Sequence, residues 1–341
     1  MTAVRIHSHG GVEQLRIDEL DVPKPGSRRV LVQVKAAGLN HLDIWVRQGL
    51  PGVHLPVVMG SDASGVVAEV GSEVTRFAPG DRVLAQPGSG CGLCQACCSG
   101  RENYCPNYKI LGEHTNGVQA EFIEIDEAHL LHLPLNIDFE QGAAVPLVYL
   151  TAWEMLVRKS GVKPTDTVLV VGASSGVGSA AVQIAQAHGA RVIATAGAAK
   201  LEKARALGAA FVLDHYQQDL AKEVKRITGG RGVDIVVDHV GSATWQASNR
   251  SLAKGGKLVV CGSTTGYQVN LDLRFLYIRQ QSILGSTTGS PGDLFPILQL
   301  MEAGKMRGVV DKVFPFTEVA QAHQYLETGQ QFGKVILRFD N

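Results

Sequence analysis

The stretch TVLVVGASSGVG, residues 167–178, decides the fold. Its first half is a short apolar, β-branched run of the kind that forms a fully buried strand. Its second half is a string of small residues opening a helical pattern that runs from Val177 to Ala187. A chain that turns sharply, brings backbone N–H groups close to a pyrophosphate and packs its helix against the strand needs small side chains at the turn. Ala173 and Ser175 stand where the strict G-x-G-x-x-G pattern has its first two glycines. The placement after a buried strand, at the head of a helix, still marks a dinucleotide loop built from Ser174, Ser175, Gly176, Val177 and Gly178.

Downstream, strands and helices alternate: ARVIAT, a helix around AKLEKARAL, FVLD, a helix at 220–227, VDIVVDHV, a helix at 244–252 and GKLVVCG. Val/Ile-rich strands separated by helices predict a parallel sheet covered on both faces, a doubly wound Rossmann unit over residues 148–288. Upstream, RRVLVQVKAAG, GVVAEVG and DRVLA are short strands punctuated by Gly and Pro, which predicts a β-barrel domain over 1–147. The segment 289–341 holds one helix (GDLFPILQLMEAGK) and ends in a strand (GKVILRF), too little for a domain, so it is predicted to return to the N-terminal one.

With 341 residues, two domains are the natural division. Lys+Arg and Asp+Glu each number 32, and no basic run occurs, which argues against nucleic-acid or anionic-membrane partners. The opening residues lack the layout of a secretory signal and no apolar run reaches the length of a membrane span, so a cytoplasmic protein acting on a small molecule is expected.

Five of the six cysteines fall within 91–105. Cys91, Cys94, Cys97 and Cys105 form C-x2-C-x2-C-x7-C, a spacing that suits one structural Zn²⁺ in a lobe at 88–108; four thiolates leave no open position for substrate. Cys98 is surplus, and Cys261 reads as a buried strand residue. NAD-preferring sites place a carboxylate at the end of the second strand; here that segment is Thr195-Ala196-Gly197-Ala198-Ala199-Lys200. A cation attracts a 2′-phosphate where a carboxylate would repel it, so NADP(H) is favoured over NAD(H), with Lys200 as the contact.

The segments GVEQLRIDELDVPKPG, VKAAGLNHLDIWVRQG, GSDASGVVAEVGSEVTRFAPGDRV, AAVPLVYLTAW, GASSGVG and GKVIL, with the cysteine lobe, span essentially the whole chain. Together they resemble the zinc-containing alcohol dehydrogenase branch of the medium-chain dehydrogenase/reductase superfamily. The resemblance implies a GroES-like barrel domain, a nucleotide domain, an active-site cleft between them, and homodimers or homotetramers joined around 283–288. It also implies that Thr151 lies against the nicotinamide and that His239, Val240, Gly262, Ser263, Ser286 and Thr287 line the cofactor. Lys334 would reach the pyrophosphate, and His215 would lie near the adenosine phosphate.

The departures carry the functional reading. Where the resembling enzymes hold catalytic zinc with Cys, His and Cys, this chain has Asn40, Ser61 and a position near Leu147, a set unsuited to that ion, so no catalytic zinc is expected. Asn40 with Asp43, the Gly60-Ser61-Asp62 triplet and the TAW after Leu150 look instead like the quinone oxidoreductase group, whose members usually lack the cysteine lobe. Without a Lewis acid, hydride transfer is easiest to substrates that spread the incoming charge, namely quinones and α,β-unsaturated carbonyls. Asn40 is the candidate for orienting the substrate or the nicotinamide ribose, and Asp43 for orienting its neighbours. His41 and Tyr149 are candidates for delivering the proton. Asp62 is either a remnant of the metal surround or a partner for His41. Two alternatives stand beside an NADPH-dependent quinone or enone reductase: an alcohol/aldehyde dehydrogenase with an atypical site, and a nucleotide-binding protein with little turnover.

Overall fold

The computed structural model describes residues 1–340, and the chain divides into two compact units. One comprises Met1–Leu147 with a return from Ser290, the other Val148–Gly289. In chain order, the first unit holds β1 (Thr2–Ile6), β2 (Arg16–Glu19), β3 (Arg29–Gly38), α1 (His41–Gln48), β4 (Val57–Val58), β5 (Asp62–Val70), β6 (Arg82–Ala85) and β7 (Gly88–Ser89). It continues through α2 (Gln95–Cys98), β8 (Lys109–Ile110), β9 (Phe122–Asp126), β10 (Leu130–His132) and α3 (Phe139–Ala143). Helix α4 (Pro146–Trp153) carries the chain across the boundary and runs on as a π-helical stretch, Glu154–Ser160.

The second unit holds β11 (Thr167–Val170), α5 (Gly176–Ala187), β12 (Arg191–Ala196), α6 (Leu201–Ala206), β13 (Phe211–Asp214) and α7 (Leu220–Ile227). After these come β14 (Val233–Asp238), α8 (Trp245–Ser251), β15 (Leu252–Val260), α9 (Leu273–Ile278) and β16 (Ser282–Gly285). The return supplies α10 (Leu294–Glu302), β17 (Val310–Pro315), α11 (Val319–Glu327) and β18 (Lys334–Arg338).

The main sheet of the first unit runs β10-β6-β5-β3-β18-β17, with β9 also on β3. Inward residues of these strands, among them Val30, Val32, Val34, Val67 and Leu337, form one buried cluster. Burying each such side chain contributes about 1.5–3 kcal/mol. Two antiparallel registers matter for the site. Gly38 at the end of β3 pairs with Asp62 at the start of β5, and Gly38 also pairs with Ile336 on β18. Continued by two residues, the second register sets Lys334 opposite Asn40.

The second unit is a six-stranded parallel sheet ordered β13-β12-β11-β14-β15-β16. Strand order reverses between β11 and β14, and the carboxyl ends of strands at such a reversal are where nucleotides bind in open α/β sheets. Leu169, Ile193, Val236 and Leu258 lie at its core. β16 is an edge strand, and α9 beside it leaves Leu273, Phe275, Tyr277 and Ile278 exposed. No helix among the described residues is long and apolar enough to cross a membrane.

Candidate active site

Asn40 caps the first turn of α1 in extended conformation, and the Asp43 carboxylate reaches back to accept from the Asn40 backbone N–H at 2.7 Å. That is half of a capping box, a local pattern that fixes how the chain enters the helix. The Asn40 side chain has other work. Its Nδ2 donates to Asp62 Oδ2 at 2.9 Å, and its Oδ1 accepts from Lys334 Nζ at 2.5 Å. Lys334 Nζ also donates to Asp62 Oδ2 at 2.9 Å. The remaining oxygen, Asp62 Oδ1, accepts from the backbone N–H of Leu147 at 2.8 Å, in the first turn of α4, where a carboxylate is favoured by the helix dipole. Asn40, Asp43, Asp62 and Lys334 are all buried, Lys334 to 3 % exposure.

Of the two roles left open for Asp62, a remnant of the metal surround or a partner for His41, the second is not the one it takes: among the described residues its hydrogen bonds go to Asn40, Lys334 and Leu147. His41 is half-buried beside Trp45; burial, with the Lys334 charge, holds its imidazole below the usual range and so in the neutral form at neutral pH. Burial pushes the Asp43 carboxyl up to about 7. Ser61 is fully buried with its hydroxyl donated to the Leu111 carbonyl at 2.8 Å. The donor set of amide, committed hydroxyl and leucine therefore does not fit a catalytic zinc ion.

In the second unit, Ser175 caps α5: its Oγ accepts from the Gly178 N–H at 2.9 Å and bonds His239 Nε2 at 2.8 Å, tying the loop after β11 to the loop after β14. A Cβ on Gly178 would meet the Gly172 carbonyl oxygen at 2.2 Å, so only glycine permits this turn. The residues expected to hold a dinucleotide fit one by this geometry: a tight strand–helix turn with helix N–H groups at a reversal of strand order. Asp238 accepts from the Val240 N–H and from the hydroxyls of Thr244 and Ser248, which fixes the segment carrying Val240. Gly262 and Ser263 follow β15, while Ser286, whose N–H donates to the Val260 carbonyl, and Thr287 follow β16. His215 Nδ1 lies 3.3 Å from Thr195 Oγ1, and Lys200 closes a short turn after β12. Thr151 lies buried on α4.

Tyr149 is 1 % exposed and its hydroxyl accepts from Gln183 Nε2 at 2.7 Å within the second unit, an arrangement that braces α4 on α5. Cys261 falls just after β15 and is half-buried, not the buried strand residue expected from the sequence; desolvation, with the Asp238 charge, pushes its thiol up to about 12. The Ser175–His239 bond was missed from sequence; the DHV at the end of β14 was the available signal. The Lys334–Asp62 pair was missed as well, since only strand register brings those residues together.

The sulfur atoms of Cys91, Cys94, Cys97 and Cys105 all lie within 4.8 Å of one another. Zn–S bonds of about 2.3 Å put the corners of a tetrahedron roughly 3.8 Å apart, so the four fit one zinc ion. Cys98 is exposed and turned toward the Gly92 and Leu93 carbonyls, outside the set.

Two family models match: "Alcohol dehydrogenase GroES-like domain" over residues 26–135 and "Zinc-binding dehydrogenase" over 176–303. A crystal structure of an NAD-dependent alcohol dehydrogenase superposes with a TM-score of 0.97 at 48 % identity, covering 99 % of this chain and 100 % of that one. This chain belongs to the medium-chain dehydrogenase/reductase superfamily. Other members similar to it point in two directions. The NAD-dependent alcohol dehydrogenase of Saccharolobus solfataricus is 34 % identical, with 99 % of each chain covered. The quinone oxidoreductase of Homo sapiens is 32 % identical, covering 99 % of this chain and 97 % of its own. As a medium-chain dehydrogenase/reductase the chain is an oxidoreductase, with the superfamily's GroES-like and Rossmann-type units.

Proposed function

We propose that this enzyme reduces quinones or α,β-unsaturated carbonyls by hydride transfer without a catalytic metal, using NADPH in preference to NADH. The observation that carries the reading is the committed polar set at Asn40, Asp62 and Lys334, whose side chains are bonded to one another. The nicotinamide supplies the hydride; the chain's task is to hold the substrate oxygen with a donor. The four-cysteine lobe holds one structural zinc ion and takes no part in the reaction. The absence of a carboxylate between Thr195 and Lys200 supports a 2′-phosphate.

The names of two relatives favour a second reading, oxidation of alcohols with NAD⁺. A steady-state panel of quinones, enones, aldehydes and alcohols with both cofactors separates the two. The expected outcome is a kcat/KM for enones or quinones at least about tenfold above that for simple aldehydes, and higher with NADPH than with NADH. Alcohol oxidation with NAD⁺ as the dominant activity would overturn it.

A further inference from the structure

We propose that His323 makes the contact between α1 and α11 an acid-sensitive latch: the closed contact admits only the neutral imidazole, so a proton favours release of α11. His323 is completely buried on α11, and neither ring nitrogen has a hydrogen-bond partner among the described residues. A neutral ring tolerates this at modest cost, whereas an unpaired buried cation does not. A cation already stands on the facing helix. Arg47, near the end of α1, is 1 % exposed; its guanidinium pairs with Glu327 and reaches the Gly10 carbonyl. Glu327 follows His323 at i+4 on α11, so the two side chains share one face of that helix. The Glu327 carboxylate is thus committed to Arg47 and leaves a protonated His323 without a counter-charge.

The other titratable and charged groups on elements packed against α11 are His41 and Asp43 on α1, Glu13 in the turn Val12–Gln14, Asp311 and Lys312 on β17, Glu318, and Lys334 and Arg338 on β18. Asp311 accepts from the Tyr325 hydroxyl, and Lys334 is held by Asn40 and Asp62. Burial, with the Arg47 charge, pushes the His323 imidazole down to about 3, where an ordinary histidine titrates near about 6.5. Above about 6.5 the ring is neutral in both the closed and the released states, and the contact has its full stability. Below that pH the released ring binds a proton that the closed one does not, and closure weakens about tenfold per pH unit down to about 3.

Both helices lead into the candidate site. Helix α1 begins directly after Asn40 and holds Asp43 in its first turn; α11 ends at Glu327, and the chain then enters β18 at Lys334. The hydrogen bonds of Lys334 to Asn40 and Asp62 therefore join the segments that the latch holds. Release of α11 loosens this set from both sides, so mild acid reversibly withdraws activity while the second unit stays folded. His41 and Asp43 titrate in their own right, but their contributions are common to the parent and a His323 variant and cancel when the two are compared.

The test is hydrogen exchange of the full-length protein, followed peptide by peptide and corrected for intrinsic rates, at about pH 7.5 and about pH 5. The parent is compared with His323→Leu, which suits an apolar surround, and His323→Gln, which keeps a polar side chain; either serves if the other does not fold. In the parent, opening of α1 and α11 is expected to rise about thirtyfold between the two pH values, while α5 in the second unit stays unchanged. The variants should show no such rise. The initial reduction rate, measured with whichever acceptor the parent reduces fastest, should fall reversibly over the same range and more steeply in the parent than in either variant. An equal rise in exchange in parent and variants would overturn the proposal. So would a rise spread evenly over both units, which is global unfolding. Helices that open only in the parent, with rates that fall alike in all three proteins, would overturn the tie to the site.

Discussion

Asp43 lies 1 % exposed at the start of α1, and its elevated pKa makes a definite claim about stability. Desolvation raises it, partly offset by the hydrogen bond from the Asn40 N–H and by Lys334. Between the ordinary carboxylate range and about 7 the folded chain binds this proton more tightly than the unfolded one, so stability falls as pH rises through that window and levels off above it. Asp43→Asn removes the dependence. Thermal melts from pH 4 to 8 should show the variant gaining Tm relative to the parent as pH rises to 7; a constant difference would mean that Asp43 is ionised throughout. At this scale the sequence was partly legible. Asn40, Asp43 and Asp62 stood out because they interrupt a recognisable pattern, whereas the lysine that joins two of them lies 294 residues from Asn40. No local signal reports a contact made by strand register. Tyr149 shows the converse: it lies in a telling segment, yet its hydroxyl is taken up in bracing two helices.

At the scale of elements, the turn from β11 into α5 was the most legible part of the chain, because a buried strand, a run of small residues and an apolar helix follow one another without ambiguity. Its energetics are testable at Ser175, which both caps α5 and bonds His239. Ser175→Ala should cost about 1 kcal/mol from the lost cap. Because the variant also frees the loop after β14, NADPH binding should weaken several-fold beyond what a cap alone explains. Paired melting and titration would check this; an unchanged Kd would show that the serine caps the helix and nothing more. Less legible was the π-helical stretch Glu154–Ser160 after α4, for which composition gives no warning. Helix α8 begins at Trp245 and ends at Ser251, within a residue of the 244–252 expected, since Leu252 already starts β15.

For the molecule as a whole, the division into a unit with a C-terminal return and a central α/β unit follows from where strand texture changes along the chain. The two candidate metal neighbourhoods differ in kind. One gathers four sulfurs within 4.8 Å, and the other gathers an amide, a carboxylate and an ammonium. The central claim is that only the first binds metal, and metal stoichiometry measured alongside activity tests it most directly. Purified enzyme, dialysed against a mild chelator and then titrated with zinc, is expected to hold one zinc ion per chain and to keep its reductase rate at every added concentration. Two zinc ions per chain, with activity lost and restored in step with the second, would contradict it.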